Sequence, residues 1–164
     1  MSTVVGGRMS ADIEGDFVVF LIGARFNRPW HVGKVFFVNR AMSRMLAYLR
    51  EHPEDGLLHA MVSIGPNGPM VVQYWRSPEQ LEAFARSARA PHHPAWKRWN
   101  RIMGYQKPDV GIWHETYVVR AGDYECLYGN MPRFGLAKAG EHVPVERKGD
   151  TAAERLGAAA VDQD

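Results

Sequence analysis

The stretch Phe17-Val-Val-Phe-Leu-Ile-Gly constrains this chain most, because it is apolar on both of the faces that a strand presents in alternation. Met70 to Trp75 carries apolar or aromatic residues on both faces in the same way. A sheet with helices on one side and water on the other alternates apolar and polar residues, so these strands need a second cover. The longest apolar run, Phe17 to Ala24, is too short to span a bilayer, which excludes a membrane helix there.

The remaining elements follow from spacing. Val35, Val38, Met42, Met45, Leu46 and Leu49 recur at three- and four-residue steps and predict a helix over about 33–51. His52-Pro53 ends it, since proline pushes the preceding residue out of helical geometry. Leu57 to Ile64 and Met70 to Trp75 read as strands joined at Pro66-Asn67-Gly68. Ser77-Pro78-Glu79-Gln80 is a helix start, with serine as cap, proline in the first turn and glutamine placed to close a capping box. Leu81, Phe84, Ala85 and Ala88 give that helix its buried stripe. Pro91-His92-His93-Pro94 breaks it, and a second helical piece carries Trp96, Trp99 and Met103 on one face. Gly111 to Val119 and Tyr124 to Met131 read as a last hairpin around Ala121-Gly122.

The order β-α-β-β-α-β with an extra terminal strand predicts an α+β fold of the split βαβ, ferredoxin-like kind with an antiparallel sheet. Residues 16–136 form the domain. Residues 1–15, small and polar, read as a flexible arm, and residues 137–164 as a tail that is poorly ordered or wraps a partner. With no spare helix to cover the second face, two copies packed sheet to sheet are the expected remedy; the alternative cover is the tail folded back.

Composition narrows the function. The 164 residues carry 20 Lys plus Arg against 18 Asp plus Glu, spread evenly, so no nucleic-acid footprint appears. The single cysteine, Cys126, excludes a disulfide framework or a Cys-rich metal site. No secretory pattern opens the chain, and a cytoplasmic location is expected. There is no GxGxxG after a strand, no P-loop, no HExxH and no Gly-x-Ser-x-Gly elbow. Adjacent histidines seldom reach one ion together, so no metal site is expected.

Two clusters remain for chemistry. His92 and His93 stand beside Trp96 and Trp99 at a helix break, and imidazole suits a general base near neutral pH; the plainer reading is that they cap the second helical piece. In Gly111-Ile-Trp-His-Glu-Thr-Tyr, strand geometry sends His114 to one face and Trp113, Glu115 and Tyr117 to the other. The hairpin would set Glu115 opposite Tyr128 and Trp113 opposite Asn130, or, with a one-residue slip, His114 opposite Asn130. A buried ionisable group needs a partner or a ligand, and Arg25 or Arg28 would satisfy Glu115. Tyr74, Trp75, Trp96, Trp99, Trp113, Tyr117 and Tyr128 are core by default, yet together they suit a flat apolar ligand with one polar edge.

Read in order, Arg25-x-Asn27-Arg28, Ala41-Met42-x-x-Met45-Leu46, Pro53-Glu54-x-Gly56-Leu57-Leu58, Gln73-Tyr74-Trp75-Arg76-Ser77, Leu81-Glu82-Ala83-Phe84-Ala85, His93-x-x-Trp96, Gly111-Ile112-Trp113-His114-Glu115-Thr116-Tyr117 and Tyr128-x-Asn130-Met131-Pro132 are familiar. The set resembles a domain-of-unknown-function family labelled monooxygenase-like, in the dimeric α/β-barrel superfamily. Antibiotic-biosynthesis monooxygenases belong there and, more distantly, haem-binding dehydratases and chlorite dismutases. The resemblance covers about residues 20–137.

It implies a homodimer, a cavity between sheet and helices, and oxidation of a small aromatic or apolar substrate without an organic cofactor. A base makes the substrate anion, which reduces oxygen while aromatic walls exclude water. On this chain His93 or His114 would be the base, with Glu115 beside it, and Asn130, Tyr128 and Trp96 would orient the substrate. Two other readings stand beside this one. In one, His93 or His114 is the axial ligand of a haem; in the other, the chain binds a small molecule without catalysis.

Overall fold

The computed structural model describes residues 3–87, 97, 100–101 and 108–157. The elements are β1 (Val4–Asp12), β2 (Phe17–Phe26), α1 (Val32–Glu51), β3 (Leu57–Gly65), β4 (Gly68–Trp75), α2 (Pro78–Arg86), β5 (Val110–Val119), β6 (Tyr128–Pro132), α3 (Leu136–Ala139), β7 (Glu141–Pro144) and α4 (Ala152–Arg155). Strands β3-β4-β2-β5 make one antiparallel sheet and β6-β1-β7 a second. Taken in chain order, the four-stranded sheet runs second-third-first-fourth, which is the ferredoxin-like arrangement.

Register sorts the strand residues into two faces. Pairs Val18–Trp75, Phe20–Gln73 and Ile22–Val71 point toward the helices, with Val118, Thr116 and His114 continuing these rows on β5. Val18, Trp75, Leu49 and Phe84 form the buried core of that face, and the Trp75 and Phe84 rings stand 5.4 Å apart. Ser77 caps α2 by accepting from the Gln80 backbone N–H at 3.2 Å, as the sequence predicts. The capping box stays half made, because the Gln80 side chain donates to the Glu54 carbonyl instead.

Among the described residues no side chain caps α1, and its first turn holds no acid. Asp109 supplies the missing negative charge from outside the helix. Its buried carboxylate meets the Lys34 ammonium, Arg28 at 3.2 Å and His31 at 3.5 Å. Its carbonyl also accepts from the Asn27 and Arg28 backbones. These bonds pin the start of α1 to the start of β5.

The opposite face corrects three expectations. Residues 4–12 are not a loose arm: β1 pairs with β6 and β7, and Ser10 and Ala11 are buried. The tail through residue 157 is ordered as well. Lys148 donates to Asp12 at 2.8 Å, and the buried Arg155 reaches Glu125 at 2.5 Å and the Asp150 carbonyl at 2.8 Å. Small residues and charges read as solvated chain, yet Ala137, Val143 and Val145 are buried together with Leu136, while Leu156 stays exposed.

The third correction is the hairpin at Ala121-Gly122. Asp16 accepts from Arg120 at 2.7 Å and from the Ala121 N–H at 2.9 Å, which ties the end of β5 to the start of β2. The chain then leaves the first sheet, and β6 pairs with β1. Glu115 therefore faces Leu21 and Trp113 faces Gly23, rather than Tyr128 and Asn130.

The second sheet and α3 cover half of the outer face. Ala11, Ile13, Leu136 and Ala137 close over Phe17, with Val19, Tyr74 and Val119 packed around them. In the next two rows Gly23 is buried, but Leu21, Val72, Met70, Met61 and Trp113 are only partly so. The cover expected from a second copy is thus supplied in part by the chain itself.

Candidate active site

Between α1 and the sheet lies a hollow of about 250 Å³. Ile22, Val62 and Val71 supply its floor from three adjacent strands, and Val38, Met42 and Leu46 its helical wall. Asn39 and Ser43, both exposed, add polar groups. A second hollow of about 300 Å³ is lined by Leu46, Leu49, Arg50, Leu57, His59 and Ala60, among others. Leu46 borders both. The i, i+3, i+4 stripe of α1 produces this shape: its apolar side chains rest on the sheet at Leu46 and Leu49 and stand off it nearer the β3–β4 turn.

His114 belongs to the same row as the floor, being the cross-strand partner of Ile22. Its ring lies 5.6 Å from that of Phe20. It is exposed among the described residues. His92, His93, Trp96 and Trp99 lie outside the described residues.

The other expected site residues are dispersed. Trp75 is fully buried in the core, its indole donating to Gln73 Oε1 at 2.8 Å, so it packs the fold and lines neither of these two hollows. Glu115 and Tyr117 are on the outer face, bonded to one another at 2.6 Å, and that bond raises the Tyr117 phenol above its ordinary value. Glu115 thus finds a tyrosine rather than Arg25 or Arg28. Trp113 lies on the outer face too, across Gly23, where an added Cβ would come within 2.6 Å of its ring. Asn130 holds a left-handed backbone, φ 49°, and accepts from the Gly7 N–H at 3.0 Å, which secures an irregularity in β1. Tyr128 sits between the sheets, with its phenol raised by burial. His114 is therefore not joined by Glu115, Tyr128 or Asn130.

His59 escaped notice in the sequence, where one histidine in an alternating strand carries little signal. It stands near Tyr74, rings parallel at 6.5 Å. Burial lowers its pKa, and Lys138, Arg50 and Arg133 lower it further. Among the described residues no group of three His, Cys, Asp or Glu could hold a metal ion, and no helix is long and apolar enough to cross a membrane.

Fold and hollow together define an α+β, ferredoxin-like protein with a ligand-sized space between helix and sheet. Residues 17–136 match the Monooxygenase af470-like family, and the chain belongs to it. It is 27% identical to Monooxygenase af470 of Aspergillus fumigatus over 96% of this chain, and spans 62% of the length of that relative. Among solved structures, an aldoxime dehydratase aligns over 81% of this chain and 42% of its own, at 17% identity and a TM-score of 0.45. A dimeric ferredoxin-like protein from an uncultured marine organism aligns over 65% of this chain and 96% of its own, at 12% identity and a TM-score of 0.34.

Proposed function

We propose that the chain is a monooxygenase-type oxidoreductase. Its substrate is a small aromatic or apolar molecule held between sheet and helices, with a histidine as general base and no organic cofactor. The observation that carries this reading is the apolar hollow floored by Val62, Val71 and Ile22, with His114 the next residue in the cross-strand row beyond Ile22. Family membership supports the class of reaction.

In this reading His114 or His93 takes a proton from an activated C–H or O–H, and the substrate anion gives an electron to dioxygen. Two hydrogens leave the reacting carbon, one oxygen atom replaces them and the other departs as water. Apolar walls exclude bulk water from the anion, and Asn39 and Ser43 offer it hydrogen bonds.

Oxygen uptake with a confirmed substrate tests the proposal. His114→Ala or His93→Ala, whichever removes the base, lowers turnover by about 10²–10⁴. Unchanged turnover in both sinks it. A Soret band on haem titration would move the histidine to an axial-ligand role, and ligand-induced thermal stabilisation without oxygen uptake would leave a binding protein.

The same reading includes a homodimer. The open half of the outer face, Leu21, Met61, Met70, Val72 and Trp113, is the surface a second copy would close.

A further inference from the structure

Within the Gln73-Tyr74-Trp75-Arg76-Ser77 segment, Gln73 carries a buried polar group that the proposed chemistry leaves unused. Gln73 lies on the helix face of β4, flanked by Phe20 on β2 and Ala60 on β3, and is 1% exposed. Its Oε1 accepts from Trp75 Nε1 at 2.8 Å. An indole N–H only donates, so this bond fixes the amide's orientation: oxygen toward Trp75, nitrogen away from it. Among the described residues Nε2 has no hydrogen-bond partner. A buried donor left unpaired is costly and rare, and an apolar side chain of the same length would avoid the cost.

The neighbours of Gln73 indicate where an acceptor would come from. Ala60, directly across from it, lines the larger hollow, and Val71, two residues along the same face of β4, lines the smaller. Leu46 of α1 borders both. The free amide therefore lies in the sheet between two cavities that share one helical wall. Phe20, Ala60, Val71 and Leu46 offer no side-chain acceptor. A ligand oxygen does.

We propose that Gln73 Nε2 donates a hydrogen bond to an acceptor oxygen of an aromatic ligand lying against the helix face: a phenol, an enol or a conjugated carbonyl. The proposal rests on the substrate reading given above and adds to it a required functional group and its location. A donor facing that oxygen favours its anionic form, the species that proton removal creates.

The test uses two probes of matched shape, 2-naphthol and 2-methylnaphthalene, with binding measured by calorimetry and folding checked by thermal melts. Gln73→Met removes the amide but strands the Trp75 indole. Trp75→Phe and the double variant Trp75→Phe/Gln73→Met therefore form a second pair with no indole in either. Wild type and Trp75→Phe are expected to favour 2-naphthol by about tenfold, equivalent to about 1.4 kcal/mol. Both variants lacking Gln73 bind the two probes equally. If both probes bind wild type without discrimination, or if the preference survives loss of Gln73, the assignment to Gln73 is overturned and the cavity reading stands. If neither probe binds wild type, the cavity reading fails and the assignment fails with it.

Discussion

The two faces of the four-stranded sheet are closed by different parts of the chain. On the helix face, Val18, Trp75, Leu49 and Phe84 come from elements within residues 17–86, joined by short connections. On the outer face, Phe17 is covered by Ala11 and Ile13 from one end of the chain and by Leu136 and Ala137 from near the other. The first closure uses helical stripes packed on neighbouring strands. The second needs β1 to find β6 and β7, pairings as distant as Met9 with Pro144. The comparison shows that a strand apolar on both faces demands cover without specifying its source.

Four experiments bear on this contrast. Trp75→Ala should cost about 3–5 kcal/mol in urea unfolding, as the loss of a large, fully buried ring does. Ala11→Asp should cost about 2–3 kcal/mol by the same measurement, because a polar group enters a site with no exposure; a loose arm would show no change. Asp12→Asn should cost no more than about 1 kcal/mol, since its partly exposed pair with Lys148 is screened by solvent.

The pH dependence of that third effect has a definite sign. The Lys148 hydrogen bond holds the Asp12 carboxyl below its ordinary value. Its contribution is therefore complete above the unfolded carboxylate value of about 3.9 and fades as pH falls through the lower folded value. The wild-type and Asp12→Asn unfolding curves should converge on acidification. Last, Met61→Lys on the edge strand β3 should change the chain's own stability by less than about 0.5 kcal/mol. If the open rows are a dimer face, it should still shift sedimentation from two copies toward one.

Legibility followed the same division. The ferredoxin-like order could be read because each of its elements announces itself locally: the two-faced β2, the stripe of α1, the Pro66-Asn67-Gly68 turn and the Ser77 cap. β1 could not, because Val-Val-Gly-Gly-Arg-Met-Ser has neither period nor bulk and becomes a strand only through distant partners. The Ala121-Gly122 turn misled for the opposite reason. Its local chemistry suits a hairpin, but Asp16 holds it from outside.

The site was legible as a list of residue types and not as a place. Strand alternation sets His114 on one face of β5 with Thr116, and the register then makes it the cross-strand partner of Ile22. Trp75, Tyr128 and Asn130 are side-chain types that suit a ligand site, and tertiary packing takes them elsewhere. Gln73 carried no signal in sequence, since only burial distinguishes its amide from a surface one.

Because Met9 and Pro144 are partners, a nascent chain can assemble the helix face while its last strands are still inside the ribosome. It cannot shield Phe17, Val19 and Tyr74 until Leu136 and Ala137 of α3 have emerged. Through that interval these side chains face the cell unprotected, so the chain is most open to chaperone capture or to mistaken pairing with a neighbour on the same messenger.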